Sequence, residues 1–164
     1  MKPIIKPIIK PIGTIHTPFD KLEDMPIQPK GAAEVIGTVE LEEQYVEGLA
    51  DLDGFSHIYL LYEFHMAKRT ALTVTPFMDT TPRGVFATRS PLRPNHIGIS
   101  IVRLIGVEKN IITVQGIDIL NGSPLLDIKP YIAAFDAVQQ SRSGWMKGSE
   151  EDVSSMRSDL RFVR

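Results

Sequence analysis

The segment HIYLLYEF, from His57 to Phe64, is nearly continuous in aromatic and aliphatic residues. It is shorter than a typical globular helix, and the helix breaker Gly54 lies just before it. A short run that is apolar on both faces is typical of a strand inside a protein core. We therefore interpret His57 to Phe64 as a buried β-strand.

Further strand-like segments lie on both sides of this run, separated by Gly and Asn turn signals. Tyr45, Leu49 and Leu52 follow one another at spacings of four and three, which favours a short helix or helical turn over residues 42–52, whereas residues 20–31 are predicted to be a loop. The fold is therefore predicted to be mainly β, a small antiparallel sheet or barrel with short helices. The additional strands are predicted over residues 12–17, 35–41, 71–75, 84–88, 97–106 and 111–119.

The two ends of the chain differ from its middle. Lys-Pro-Ile repeats place a proline every four residues at the start, which forbids a helix and predicts an extended lead-in over residues 1–9. Residues 139–164 form a polar, basic tail, in which a capping-box pattern at Ser149 predicts a short helix to about Ser158. The predicted barrel domain covers residues 10–138.

Composition limits the class of protein. The chain has 164 residues and 43% hydrophobic residues, enough for one domain with a real core. A formal net charge of −2 gives no overall signature of a nucleic-acid binder, so any RNA binding must come from a local patch. The chain contains no cysteine, no signal-peptide pattern and no apolar run long enough for a membrane helix. These features predict a soluble cytoplasmic protein.

The segment GVFATRSPLRPNHIGISI, residues 84–101, has the composition of a binding loop between two strand-like runs. Pro91 and Pro94 each fix their own φ and restrict the preceding residue, so the loop is predicted to be stiff. Arg89 and Arg93 then point in defined directions, and a guanidinium suits carboxylates, phosphates and planar bases. The alternative is an Arg-Pro loop that only ties a turn together.

A second polar cluster occurs in DILNGSPLLDIKPY, residues 118–131. Its density of polar side chains is that expected of a pocket wall. The alternative is a hairpin with Asn121 and Gly122 at its tip and its charges in water. The polar members of the cluster are Asp118, Asn121, Asp127, Lys129 and Tyr131.

Common cofactor and metal motifs are missing from the sequence. No GxGxxG follows a strand, and neither a phosphate-binding GxxxxGK[ST] nor a calcium-binding loop occurs. His57 and His65 lie eight residues apart on a predicted strand, too far for two ligands of one metal ion. We predict no metal site, no Rossmann fold and a structural role for His16.

Taken together, several segments resemble the TrmO/TsaA-like family. The resemblance covers about residues 10–136, and the blocks occur in the order found in that family. The resemblance rests on four blocks, whose assembly by chance is improbable. They are GTIHTPF (13–19) with MPIQPKG (25–31), LDGFSHIYLLYEFH (52–65), GVFATRSPLRPNHIGIS (84–100) and DILNGSPLLDIKPY (118–131).

The resemblance implies a dimeric, S-adenosyl-L-methionine-dependent methyltransferase on a small β-barrel. Family members methylate the N6 nitrogen of N6-threonylcarbamoyladenosine next to the anticodon of tRNA. Two alternatives stay open: a methyltransferase for another RNA or small-molecule acceptor, and a non-catalytic module that binds the cofactor or RNA.

The resemblance also implies which residues contact the cofactor. Two positions depart from the family pattern: Ile27 replaces an arginine, and Met66 replaces a glutamine. Asn121 to Pro124 stands where the family commonly has Asp-Gly-Thr-Pro. The implied cofactor contacts are Pro26, Ile27, Gln28, His65, Met66, Arg89, Ile99, Asp118, Ile119, Leu120, Asn121 and Gly122.

Each part of the cofactor needs its own kind of partner. We assign Arg89 and Gln28 to the carboxylate or polar edges, Asp118 to the ribose hydroxyls, and Ile99 and Leu120 to the adenine ring. These pairings are hypotheses about individual contacts.

The acceptor nitrogen is a poor nucleophile until its proton leaves, because its lone pair is delocalised into a carbonyl and a purine. Asp127 is the candidate base, and Lys129 and Tyr131 are candidates to stabilise the carbonyl oxygen or the threonyl carboxylate. Arg93 and Asn95 are predicted to bind the substrate.

Overall fold

The structure, a computed structural model, describes residues 8–26, 29–77 and 79–146. Short 3-10 helices and one four-residue α-helix, α1 (Ala133–Asp136), connect or follow the strands in this part of the chain. In chain order the strands are β1 (Gly13–His16), β2 (Ile36–Leu41), β3 (His57–Glu63), β4 (Thr73–Val74), β5 (Arg83–Gly84), β6 (Ile97–Glu108), β7 (Ile111–Gln115) and β8 (Ser123–Pro130). The 3-10 helices are Leu22–Asp24, Pro29–Ala32, Glu43–Leu49, Leu52–Gly54 and Val85–Ala87.

Six of these strands form a closed barrel in the order β1, β2, β7, β6, β3, β8. Every neighbouring pair is antiparallel, and β8 pairs with β1 to close the barrel. Strands β4 and β5 form a separate two-stranded sheet in the long connection between β3 and β6. The predicted small antiparallel barrel is confirmed.

The barrel interior is filled by alternate residues of its strands. On β3, Ile58, Leu60 and Tyr62 point inward, while the residues between them face outward. Strand β6 alternates in the same way, with Val102 and Leu104 in the core. Fully burying a residue of this size contributes about 1.5–3 kcal/mol, so this alternation fixes the register of the sheet.

The predicted strand over 111–119 is too long. Strand β7 ends at Gln115 because Gly116 adopts φ 81°, a left-handed conformation that breaks the extended backbone. Ile117 and Ile119 beyond the break are nevertheless fully buried in the core. Their apolar character reflects burial, not strand pairing.

The strand predicted over residues 84–88 is wrong beyond Gly84, the last residue of β5. The chain turns there into the 3-10 helix Val85–Ala87, closed by a hydrogen bond from Thr88 Oγ1 to the Val85 carbonyl (2.8 Å). The alternative of a hairpin with Asn121 and Gly122 at its tip is not seen, because residues 118–120 are not in a strand and β8 pairs with β1 and β3. The strand β8 escaped prediction because Pro124 and Pro130 lie within it.

The terminal predictions are only partly covered by the structure. The first seven residues of the lead-in and the helix predicted from Ser149 to Ser158 lie outside the described residues. Trp145 in the tail contacts the long β3–β6 connection, because its indole Nε1 donates to the Ala87 carbonyl (2.7 Å) and Arg83 lies over its ring (5.5 Å to the centroid). Among the described residues no helix is long and apolar enough to cross a bilayer.

Gly98 on β6 faces Tyr62 on β3, and this pair leaves no room for a methyl group. A Cβ at position 98 would lie 2.5 Å from two carbons of the Tyr62 ring, which is itself buried. Gly98→Ala is therefore expected to destabilise the fold by about 1–3 kcal/mol in urea unfolding. Gly106→Ala on the same strand is the control, because no heavy atom lies within 4 Å of its Cβ position. Equal stabilities of the two variants would contradict this packing argument.

Candidate active site

A cavity of about 330 Å3 lies where β3 ends and β6 begins. Phe64 and His65 follow β3 into its wall, and Ile97 and Gly98 contribute from the start of β6. The segment before β8, the arginine-containing loop before β6 and the segment between β1 and β2, with Leu22, Met25 and Pro26, also contribute to the lining. The barrel thus gathers distant parts of the sequence at one end.

Two polar residues of the cavity lining, Tyr62 and Asp118, are connected by hydrogen bonds through the buried Ser100. Ser100 donates its hydroxyl to Asp118 Oδ1 (2.6 Å), and the hydroxyl groups of Tyr62 and Ser100 lie 3.2 Å apart. Because the Ser100 proton is committed to Asp118, Tyr62 donates to Ser100. Asp118 is only 8% exposed, and both it and Tyr62 line the cavity. These two hydrogen bonds hold the Asp118 carboxylate in one orientation.

Burial raises the pKa of Asp118 to about 6, although the Ser100 hydrogen bond and the nearby Arg89 guanidinium act to lower it. Burial likewise raises the pKa of Tyr62, which keeps this phenol neutral. A carboxyl group that changes charge near neutral pH inside a cavity is a common feature of functional sites.

The loop that carries Arg89 is held together from within by Arg93. Arg93 Nη1 donates to the carbonyls of Thr88 (2.8 Å), Ser90 (3.2 Å) and Val85 (3.4 Å). His96, at φ 49°, closes the loop with a bond between Nδ1 and the Pro91 carbonyl (2.8 Å). The predicted stiffness of this loop thus depends on Arg93 as well as on the prolines.

The residues predicted to contact the cofactor divide into three groups. Asn121 is engaged elsewhere, since its Oδ1 accepts from the Thr17 amide (3.1 Å) and its Nδ2 donates to Asp20 (2.9 Å). Gly122 forms a turn at φ 80°, and the side chain of Ile119 is buried in the core. Ile27 and Gln28 lie outside the described residues. The remaining seven line the cavity: Pro26, His65, Met66, Arg89, Ile99, Asp118 and Leu120.

The proposed catalytic residues of β8 lie on the outside of the barrel. A register shift between Leu61 and Tyr62 places Asp127 opposite Leu61 and Lys129 opposite Tyr59, on the outward face. Asp127 and Lys129 form an exposed ion pair (3.0 Å), which contributes little to stability. Neither of them is part of the cavity lining.

Tyr131 is still farther from the cavity. Its amide donates to the His57 carbonyl (3.0 Å), at the end of β3 opposite the cavity. The seven residues of β3 span about 20 Å. A single chain therefore does not bring Tyr131, or the two charged residues before it, to its own cavity.

Of the two predicted substrate-binding residues, only one lies at the cavity. Arg93 lines the cavity, although its Nη1 is bound to backbone carbonyls. Asn95 is exposed at the turn and is not part of the lining. Their contact with a substrate stays a prediction.

Sequence reasoning missed Tyr62 and Ser100 as parts of the site. The signal was present in the period of two along β6, where Gly98, Ser100 and Val102 are buried and the residues between them are exposed. A hydroxyl on the inward face of a strand needs a partner, and that partner is Asp118.

Residues 14–137 match the family of the tRNA-methyltransferase O N-terminal domain. The chain belongs to this family. The resemblance inferred from the four sequence blocks is confirmed.

Relatives of known sequence or structure support this assignment. The chain is 48% identical over 153 residues to a probable S-adenosyl-L-methionine-binding protein of Pyrococcus abyssi, covering 93% of this chain and 83% of the relative. It is 34% identical over 139 residues to the human tRNA (adenine(37)-N6)-methyltransferase, covering 80% of this chain and 32% of the human protein.

A crystal structure of TrmO from Pseudomonas aeruginosa has the same fold. It superimposes with a TM-score of 0.73 at 40% identity, and the match covers 87% of this chain. The match covers 63% of the solved chain, slightly less than two thirds of its length.

Proposed function

We propose that this chain is an S-adenosyl-L-methionine-dependent methyltransferase that methylates N6 of N6-threonylcarbamoyladenosine beside the anticodon of tRNA. Family membership and the names of the relatives support the cofactor and the tRNA substrate. The observation that carries the proposal is a cavity that combines an oriented buried carboxylate with an arginine and apolar walls. A tRNA substrate also favours the cytoplasm as the site of action.

The residues of the cavity fit the cofactor. Asp118 would accept hydrogen bonds from the ribose hydroxyls, and Arg89 would bind the carboxylate of the amino-acid tail. Ile99 and Leu120, which both line the cavity, would cover the adenine ring. The volume of about 330 Å3 lies in the range of small-molecule sites.

When bound, the cofactor supplies an electrophilic methyl group, and the protein must align the acceptor nitrogen with it. The nitrogen also has to lose its proton to a base. We assign this base to Asp127, and we assign Lys129 and Tyr131 to the negative charge that develops on the carbamoyl oxygen. Arg93 and Asn95 remain our candidates for holding the substrate.

A homodimer reconciles these assignments with the outward position of Asp127. Ile99 and Ile101 are 47% and 40% exposed on the outer face of β6, where they lie opposite Leu61 and Tyr59 of β3. We propose that two copies pack these apolar faces together around a two-fold axis. Ile99 also lines the cavity, so the partner's Asp127 would approach the cavity from across the interface.

The proposed activity is tested with purified protein and labelled cofactor. Calorimetry is expected to detect cofactor binding, and methyl label is expected in tRNA that carries the threonylcarbamoyl group but not in tRNA that lacks it. Equal labelling of both tRNAs would replace the proposed acceptor with another RNA site. Cofactor binding without labelling of any tRNA would indicate a non-catalytic binding module.

A further inference from the structure

The long connection between β3 and β6, residues 64–96, concentrates positive charge. It contains five lysines and arginines and a single acidic residue, in a chain with a formal net charge of −2. In the sequence this excess supplies the local positive charge that RNA binding requires, although Arg83 forms an ion pair with Asp79 (2.7 Å). The basic residues are Lys68, Arg69, Arg83, Arg89 and Arg93.

Phe86 stands out within this connection because its side chain is 73% exposed. Its backbone is nevertheless firmly held. Val85 before it is buried and donates its amide to the Leu72 carbonyl (2.9 Å), and Ala87 after it accepts the Trp145 indole proton (2.7 Å). The fold thus presents an aromatic ring to solvent on a rigid support.

The position of this ring relates it to the cavity. The guanidinium of Arg93 lies 6.0 Å from the centre of the Phe86 ring, and Arg93 also lines the cavity. Leu72, bonded to Val85 through the backbone, is 67% exposed and adds apolar surface beside it. Arg93 therefore connects the cavity wall to an exposed surface that carries an aromatic ring and an aliphatic side chain.

We propose that Phe86 is a stacking platform for an unpaired RNA base that flanks the nucleotide held at the cavity. This inference rests on the proposed tRNA methyltransferase function and assigns a surface to its RNA substrate. Unpaired loop bases are recognised by stacking on aromatic side chains and on arginine planes, with basic residues nearby for the phosphates. Phe86 supplies the aromatic side chain, Arg93 supplies the arginine plane, and the β3–β6 connection supplies the basic residues.

The excess of positive charge favours RNA over a protein partner at this surface. A hydrophobic protein-docking patch is depleted of charged residues at its centre. Here Arg93 lies against the aromatic ring itself, and Arg83 lies against Trp145 on the same support.

The test measures RNA affinity, cofactor affinity and methylation for Phe86→Ala, Phe86→Trp and a control. The control is Tyr45→Ala, an exposed aromatic on the acidic 3-10 helix Glu43–Leu49. Fluorescence anisotropy with a tRNA anticodon stem–loop is expected to show binding about five- to a hundredfold weaker for Phe86→Ala, because one stacked base is lost. Phe86→Trp is expected to retain affinity, Tyr45→Ala to be unchanged, and all three to bind the cofactor as the wild type does.

Failure of this inference and failure of the proposed function give different results. If the wild type methylates tRNA but Phe86→Ala binds the stem–loop as tightly as the wild type, the platform is overturned and the methyltransferase stands. An equal loss in Phe86→Ala and Tyr45→Ala would also overturn it, since the effect would not depend on position. A wild type that binds the cofactor but no RNA would overturn both proposals.

Discussion

Asp127→Asn is expected to lower methyl transfer to threonylcarbamoylated tRNA by about a hundredfold to ten-thousandfold, because the variant loses the base that takes the acceptor proton. Cofactor affinity is expected to stay unchanged, since Asp127 is not part of the cavity lining. Single-turnover methylation and calorimetry measure the two effects separately. Normal turnover in the variant would exclude Asp127 as the base.

A mixture of two inactive variants tests whether the base comes from the partner subunit. In a randomly mixed dimer population of Asp127→Asn and Arg89→Ala, half of the dimers carry both chains, and each of these has one intact shared site. About a quarter of the wild-type activity is then expected to return, measured at a cofactor concentration at which the Arg89→Ala dimer alone is inactive. No recovery on mixing would indicate that each site is built from one chain. A strictly monomeric protein in sedimentation would remove the shared site altogether.

The main strands of the barrel were predictable because their side chains alternate or are continuously apolar. The predicted segments 35–41, 57–64 and 97–106 correspond to β2, β3 and β6 with shifts of only one or two residues. Burial inside the barrel and exposure outside it impose these patterns directly. The strand predicted over 71–75 contains the two-residue strand β4, whose Val74 is buried, whereas β5 overlaps the segment predicted over 84–88 only at Gly84.

The position of Asp127 could not be predicted, because it depends on a β-bulge. Ser123 and Leu125 on β8 are buried, and a period of two would also point Asp127 inward. The register shift beside Leu61 inserts one extra residue, so that Ile128 packs on the core and Asp127 faces outward. A one-residue change in register reverses every later side chain of a strand.

The cavity was predictable only in part, for a related reason. The rigid arginine loop and the polar segment after β7 could each be recognised in the sequence. Their meeting in one cavity follows from the closed barrel, in which Ser100 of β6 also reaches Asp118, and no local pattern predicts it. The charge of Arg89 consequently acts to lower the pKa of Asp118, although 28 residues lie between them in the sequence.

Asp118→Asn is expected to weaken cofactor binding by about tenfold to a hundredfold, because a carboxylate accepts a stronger hydrogen bond than an amide oxygen does. The wild-type affinity is also expected to depend on pH. Since burial raises the pKa of Asp118 to about 6, lowering the pH from 8 to 5 protonates the carboxyl and weakens binding about tenfold. The asparagine variant should lack this part of the pH dependence. The wild type and the variant have to be compared at each pH.

The same substitution is expected to stabilise the protein without cofactor. The pKa of Asp118 is raised in the folded state, so the folded protein binds this proton more tightly than the unfolded chain does. The stability that the protonated group contributes is therefore lost as the pH rises from about 4 to about 6. At pH 8 the buried charge therefore costs stability on the order of 1–3 kcal/mol, which asparagine removes while its Oδ1 still accepts from Ser100. Urea unfolding at pH 4 and pH 8 measures the gain, which should be small at pH 4 and larger at pH 8. A variant less stable than the wild type at pH 8 would show that the carboxylate supports the fold, and that its burial is not a cost accepted for binding.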